Sequence, residues 1–118
     1  MNKMVKQINL PDGFPEIVTL SGSTRFKNEF LEVQKQLGLE GKIVISVSVF
    51  GHADNLQLSE EQKSKLDELH LRKIDLADTV YVIDVEGYIG GSTRNEIAYA
   101  KANHKKMKYY SQEIKCNL

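Results

Sequence analysis

A glutamate that follows a pair of glycines is the residue of this sequence best placed for catalysis. Glu96 comes just after the segment Gly87–Thr93, in which Gly90 and Gly91 leave the backbone open to a ligand. A carboxylate beside the start of a helix is favoured in its ionised form by the helix dipole, which suits a nucleophile. Chemistry at the anomeric carbon of a sugar uses such a group, because a carboxylate stabilises the oxocarbenium-like transition state. Glu96 is therefore a candidate catalytic residue.

The same stretch also permits a purely structural interpretation. Thr93 and Glu96 have the spacing of a capping box, in which the glutamate side chain accepts a hydrogen bond from the backbone N–H of the cap residue. Asp84 ends the preceding apolar run and is a second catalytic candidate, able to hydrogen-bond a sugar hydroxyl or to assist Glu96. An aspartate at the end of a strand also commonly just begins a turn. The sequence leaves both pairs of interpretations open.

Two segments offer groups that bind anions. The candidate substrate-binding residues are Gly22, Ser23, Thr24 and Arg25 in the first segment and Gly90, Gly91, Ser92 and Thr93 in the second. Backbone N–H groups, hydroxyls and a guanidinium at the start of a helix suit a phosphate or a carboxylate. The alternative is that Ser23 or Thr24 is an ordinary N-cap, contributing about 1 kcal/mol, and that Arg25 is solvated.

His70 is the third catalytic candidate. It lies four residues after Leu66 and four before Ile74, on an apolar stripe where a lone histidine is usually a hydrogen-bonded packing residue. A functional role requires it to face the loops that carry the other candidates. His52 and Asp54 lie in a loop able to cover such a site. We find neither the spacing of a metal site nor a Walker lysine motif, so we expect no metal and no cofactor.

The elements that must position these residues alternate along the chain. We predict strands at 17–20, 42–47, 79–84 and 106–110, and helices from about 25 to 38, from a capping box at 59–62 to about 76, and from the glycine-rich loop to about 103. The expected inward residues are Phe26, Phe30, Leu31, Val33 and Leu37 in the first helix and Leu66, Leu69, Ile74 and Ala77 in the second. This alternation predicts an α/β fold, a three-layer Rossmann-like or flavodoxin-like sandwich with a parallel sheet of four to five strands. The candidate loops then share the carboxyl edge of the sheet, where such folds bind ligands.

Length, charge and cysteine content limit the classes of function. The 118 residues suit one domain, 1–118, with an irregular leader at 1–15 that is rich in turn formers. Sixteen basic residues balance sixteen acidic ones, so no nucleic-acid polymer or membrane surface is expected as a partner. A single cysteine, Cys116, and the lack of a signal-like or membrane-spanning apolar run lead us to expect a cytoplasmic protein.

Three segments together resemble the nucleoside 2-deoxyribosyltransferase superfamily. They are 17–23, then Leu76-Ala77-Asp78 leading into 80–84, and finally 91–100, and the resemblance covers roughly residues 16 to 111. It implies a Rossmann-like fold, a homodimer or higher homo-oligomer, and cleavage of an N-glycosidic bond by a glutamate nucleophile at the position of Glu96. Ser23 and Arg25 resemble the phosphate-binding start of members that hydrolyse nucleoside 5′-monophosphates. The implied partner is a small nucleotide or nucleoside.

One departure marks the chain as similar to a divergent branch of that superfamily. The family usually has an aspartate eight residues before the aspartate of its Ala-Asp pair, where it assists the leaving base. Here that position is His70, eight residues before Asp78. A histidine can donate a proton near neutral pH but cannot act as an ionised carboxylate. Three hypotheses follow: an N-glycosidase or deoxyribosyltransferase-like enzyme, a non-catalytic nucleotide-binding or sensor module, or a purely structural α/β subunit.

Overall fold

A computed structural model describes residues 13–116 of the chain. The predicted irregular leader falls mostly outside these residues, and 13–15 belong to no helix or strand. The strands are β1 (Ile17–Gly22), β2 (Ile43–Ile45), β3 (Thr79–Ile83) and β4 (Lys106–Tyr109). The helices are α1 (Lys27–Leu39), α2 (Glu60–Leu76), α3 (Gly91–Ala102) and α4 (Tyr110–Cys116), with a 3-10 turn at Val85–Gly87.

The four strands form one parallel sheet in the order β2-β1-β3-β4. Alternate residues of β1 and β3 face opposite layers of helix, as the two-residue period of a strand requires. On one side Leu20 and Ile83 pack with Phe30 of α1. On the other side Val80 and Val82 pack with the residues that α2 and α3 turn inward, such as Ile74. The structure is therefore the predicted α/β sandwich, with four strands between two helical layers.

The predicted packing is wrong at two outer positions of the helices. Leu31 is 46% exposed and Leu69 is 49% exposed, because each lies one residue, or about 100°, away from a buried neighbour on its helix. The second strand is also shorter than predicted. It pairs with β1 alone, at the edge of the sheet, and Ile43 is 37% exposed, so this strand is not covered on both faces.

The sheet order creates a topological switch point between β1 and β3. The chain leaves β1 through α1 toward β2 on one side, and leaves β3 through α3 toward β4 on the other, so the two loops diverge at the carboxyl ends of adjacent strands. Gly22 ends β1 at this point with φ +156°, and a Cβ there would lie 2.8 Å from the carbonyl oxygen of Ile83. Only glycine permits this close approach of the two strands.

Candidate functional site

A cavity of about 510 Å³ opens at the switch point. This volume is in the range of small-molecule sites. The loops that follow β1, β2 and β3 surround it, and α2 and α3 form its floor. All eight predicted substrate-binding residues line it: Gly22, Ser23, Thr24, Arg25, Gly90, Gly91, Ser92 and Thr93. His70 and Glu96 line it as well, so the structure brings ten of the eleven predicted site residues together.

Side chains from three elements meet at the floor of the cavity, where His70 and Glu96 line it and Ser21 lies buried beside them. Ser21 is on β1, His70 on α2 and Glu96 on α3. The Oγ of Ser21 and the Nε2 of His70 are 2.9 Å apart in a buried hydrogen bond. The same Nε2 lies 3.7 Å from Oε1 of Glu96, and the two side chains are only 7% and 14% exposed. His70 is thus hydrogen-bonded and buried, as a packing residue would be, yet it also reaches the cavity.

The start of α3 corrects the predicted capping box. Gly90 is the N-cap and α3 begins at Gly91, three residues earlier than a cap at Thr93 would require. Thr93 lies inside the helix and is buried. Glu96 is consequently in the second turn rather than at the N-terminus, and its carboxyl group points to the floor of the cavity instead of capping the helix.

Burial, rather than the helix dipole, dominates the ionisation of Glu96. Burial raises its pKa to about 7, a hydrogen bond from Ser21 acts in the opposite direction, and the negative charge of Asp67 adds to the rise. The expectation of a carboxylate held ionised by the dipole is therefore wrong. At neutral pH the carboxyl group of Glu96 is divided between its protonated and ionised forms.

His70 is held neutral by the same surroundings. Burial lowers its pKa to about 4, with a further decrease from the positive charge of Lys73 and an opposing hydrogen bond to the backbone of Leu20. Lys73 lies one turn along α2, also lines the cavity, and donates hydrogen bonds from Nζ to the carbonyl oxygen of Ser46 at 2.8 Å and to Oγ of Ser48 at 2.9 Å. The resting floor thus pairs a neutral imidazole with a carboxyl group that readily gains or loses a proton.

Asp84 is the predicted site residue that the structure places elsewhere. Its Oδ1 accepts a hydrogen bond from the backbone N–H of Ser111 at 2.8 Å, and its Oδ2 accepts one from the Ser111 hydroxyl at 2.8 Å. The side chain is buried and does not line the cavity. Its position therefore favours a structural role, fixing the start of α4, over an assisting role beside Glu96.

The mouth of the cavity carries a fixed guanidinium. Arg25 donates from Nε to Oγ of Ser23 at 3.1 Å and from Nη2 to the hydroxyl of Tyr88 at 3.2 Å. Its guanidinium also stacks on the Tyr88 ring, 4.4 Å from the centroid. The N-cap of α1 is Phe26, without a side-chain cap, so the N-cap interpretation of Ser23 and Thr24 is wrong. Arg25 is exposed to solvent, and these neighbours orient its guanidinium.

The N-terminus of α3 faces the same mouth. The first intrahelical hydrogen bond runs from the N–H of Arg94 to the carbonyl oxygen of Gly90, which leaves the N–H groups of 91–93 without helical partners. A Cβ on Gly91 would meet no atom within 4 Å, so the backbone there is open. Unpaired N–H groups and a guanidinium around one opening suit an anionic group.

The loop after β2 is tied across the cavity to the loop after β1. The backbone N–H of His52 donates to Oγ1 of Thr24 at 3.1 Å, and this Oγ1 also lies 3.0 Å from Nδ1 of His52. Lys27 and Asp54 add an ion pair at 2.8 Å. The covering loop that the sequence suggested therefore lies beside the mouth, held by two contacts.

Sequence reasoning did not identify Ser21, Lys73 and Tyr88 as residues at or beside the site. The signal for Ser21 is present, because Thr19 and Ser21 are polar residues at alternate positions of an otherwise apolar buried strand, and such a pair must face a polar partner. Nothing local marks Lys73 or Tyr88, whose positions depend on how α2 and the loop after β3 pack.

Comparison of the sequence with family models and with curated proteins finds no match. Within residues 13–116, no three His, Cys, Asp or Glu side chains are arranged to hold a metal ion. In the same part of the chain, no helix has both the length and the apolar character needed to cross a membrane.

Proposed function

We propose that the cavity binds a nucleotide or nucleoside and that Glu96 attacks the anomeric carbon of its sugar, so that the N-glycosidic bond is cleaved or its sugar transferred. The observation that carries this proposal is the position of one carboxyl group. Glu96 is 14% exposed and lies 3.7 Å from His70, on the floor of a cavity whose mouth carries Arg25 and an open helix N-terminus. An anion at the mouth and a sugar above Glu96 fit that arrangement.

The anionic end of the ligand would lie at the mouth. Arg25 supplies a planar donor group that is already oriented by Ser23 and Tyr88, so little conformational entropy is lost on binding. The N–H groups of 91–93 would complete the contacts to a phosphate. These groups support a nucleoside 5′-monophosphate over a free nucleoside as the better ligand.

At the sugar of the ligand, the chemistry depends on whether the carboxyl group of Glu96 is ionised. Its ionised form would attack the anomeric carbon, the bond from that carbon to the base nitrogen would break, and the electron pair would leave with the base. Water or a second base would then release the sugar from Glu96. With its pKa raised to about 7, Glu96 exists partly as the required carboxylate at neutral pH.

The test is release of free base from a panel of nucleoside 5′-monophosphates and the matching nucleosides, followed by chromatography. Glu96→Gln keeps the size of the side chain and removes the nucleophile, and we expect base release to fall by at least about a thousandfold. Glu32→Gln, on the exposed side of α1, is the matched control. Base release that survives in Glu96→Gln would remove this residue from the reaction.

The second candidate is a module that binds a nucleotide without turnover. The neutral imidazole at the position of the family aspartate favours it, because His70, with a pKa near 4, is not the acidic imidazolium that could protonate a leaving base at neutral pH. Calorimetric binding of a nucleotide with no product after long incubation would support this candidate. Measurable turnover would reject it. The homo-oligomer implied by the family resemblance stays a prediction.

A further inference from the structure

Ser21 holds a position that the proposed reaction does not yet use. Its side chain is fully buried, and it lies on the face of β1 that α2 and α3 cover. Its hydroxyl is hydrogen-bonded to Nε2 of His70 at 2.9 Å, and the same Nε2 lies 3.7 Å from Oε1 of Glu96, whose ionised form Ser21 favours. One hydroxyl thus lies beside both titratable groups on the floor of the cavity.

A hydroxyl has one proton to donate, so it cannot donate to both groups at once. When Glu96 is protonated, its O–H can donate to Oγ of Ser21, while Ser21 donates to an unprotonated Nε2. When Glu96 is ionised, the carboxylate accepts from Ser21 instead. The direction of the Ser21 hydroxyl is therefore linked to the protonation of Glu96.

We infer that Ser21 is a positioning residue that couples Glu96 to His70, its hydroxyl passing a proton between the carboxyl group and Nε2. This inference rests on the proposed function for its role in catalysis. In the transfer, the O–H bond of Glu96 breaks and a new bond forms from that proton to Oγ of Ser21. The original O–H bond of Ser21 breaks, and its proton forms a bond to Nε2. The products are a carboxylate and an imidazolium, and the total charge is unchanged.

The transfer would supply both forms that the proposed reaction needs. The carboxylate of Glu96 is the nucleophile, and the imidazolium of His70 holds a proton for the leaving base. At rest the proton remains on Glu96, because burial raises the pKa of Glu96 to about 7 and lowers that of His70 to about 4. A serine and a histidine of this chain would thus donate the proton that the family resemblance assigns to an aspartate.

Two residues of α2 carry charges that act on this cluster. Lys73 lowers the pKa of His70, and Asp67 raises the pKa of Glu96. The backbone of Leu20 forms a further hydrogen bond with the imidazole ring. Because Ser21 occupies Nε2, the coupling requires the tautomer of His70 that carries its proton on Nδ1.

The coupling is tested by nuclear magnetic resonance on the free, full-length protein. The carboxyl carbon of Glu96 and the ring nitrogens of His70 are followed from pH 4 to pH 9. In the wild type, Nε2 of His70 should change its chemical shift together with the titration of Glu96, and Nδ1 should carry the proton. In Ser21→Ala, the titration of Glu96 should move above its wild-type midpoint of about 7, and the concerted response of Nε2 should be lost.

Two further variants make the result specific. Ser21→Cys keeps the volume of the side chain with a weaker donor and should move both signals in the same direction as Ser21→Ala. Thr19→Val removes a buried hydroxyl from the same face of β1, where it bonds the Lys73 carbonyl oxygen at 2.8 Å, and should leave both signals as in the wild type. An unchanged titration in both Ser21 variants, or a proton on Nε2, would overturn the coupling.

The titration needs no substrate, so its result is separate from that of base release. Where the wild type shows turnover, Ser21→Ala should release base more slowly, and the acidic limb of its kcat/KM profile should move to higher pH. An intact coupling without any base release would refute the proposed reaction and leave the link between Ser21, His70 and Glu96 in place.

Discussion

The Nε2 atom of His70 lies 3.7 Å from Oε1 of Glu96, with one side chain from α2 and the other from α3. The distance is that of an ion pair, but burial opposes the charged form of each group. It raises the pKa of the acid to about 7 and lowers that of the base to about 4. At neutral pH the contact is therefore between a neutral imidazole and a carboxyl group that is only partly ionised, and it gives the fold two opposite dependences on pH.

Glu96→Gln should stabilise the fold in alkaline solution. The folded-state pKa of Glu96, about 7, is above its usual 4.5, so its contribution to stability is full below pH 4.5 and is lost as pH rises through 7. The glutamine does not ionise. We expect the variant to exceed the wild type by up to about 3 kcal/mol at pH 8 and by less than about 1 kcal/mol at pH 5, measured by urea denaturation.

The exposed variant Glu32→Gln serves as the control for this measurement, because it makes the same chemical change away from the cavity. A Glu96→Gln advantage that is equal at the two pH values would show that burial does not control the ionisation of Glu96.

His70→Gln should remove a loss of stability in acid. The folded-state pKa of His70, about 4, is below its usual 6.5, so the contribution of His70 to stability is lost as pH falls from 6.5 toward 4, opposite in direction to that of Glu96. This loss amounts to about 2 kcal/mol between pH 8 and pH 5. In His70→Gln the dependence should disappear, although the variant is less stable at pH 7 by about 1 to 2 kcal/mol because the bond to Ser21 is altered. If His70→Gln still loses stability in acid, a group other than His70 causes that loss.

Much of the framework could be predicted from local sequence patterns. The apolar runs that became β1 and β3 are short and dense in β-branched or aromatic residues. The capping box at Ser59 formed as predicted, with its two hydrogen bonds to and from Gln62 at 3.1 and 2.9 Å. Because parallel strands place their following loops on one edge, the gathering of the two anion-binding segments could also be predicted.

The chemistry of the floor could not be predicted in the same way. Gly90 and Gly91 have no side chain to cap a helix, and Thr93 with Glu96 has the spacing of a cap, so local rules placed the helix start three residues late. The ionisation of Glu96 depends on burial beneath α2, which is a property of tertiary packing. The partner of Asp84, Ser111, lies in a tail whose sequence shows no clear periodicity.

Arg25→Lys should weaken binding of a phosphate-bearing ligand. The lysine keeps the positive charge but loses the planar contacts to Ser23 and Tyr88 that orient the guanidinium. We expect calorimetry to show an affinity for a nucleoside 5′-monophosphate about 10 to 100 times lower, and a change below about threefold for the nucleoside. Arg94→Lys, on the exposed side of α3, is the control. Equal losses for both ligands would contradict a phosphate at Arg25.

Gly22→Ala should destabilise the switch point. The new methyl group would lie 2.8 Å from the carbonyl oxygen of Ile83, and the backbone has φ +156°. Separating β1 from β3 should cost about 1 to 3 kcal/mol in the free energy of unfolding, measured by urea denaturation. Gly38→Ala, in α1, has no atom within 4 Å of the added group and should stabilise the protein by about 0.5 to 1 kcal/mol. Wild-type stability in Gly22→Ala would refute the close approach.

In the proposed reaction the carboxylate of Glu96 forms a bond to the sugar of a bound nucleotide. The most direct measurement is a single-turnover reaction of the full-length protein with a nucleoside 5′-monophosphate, quenched in acid and examined by peptide mass spectrometry as the base is released. We expect the added mass of the sugar phosphate on the peptide that contains Glu96, and neither added mass nor base release in Glu96→Gln. Added mass on a different residue, or base release by Glu96→Gln at the wild-type rate, would contradict it.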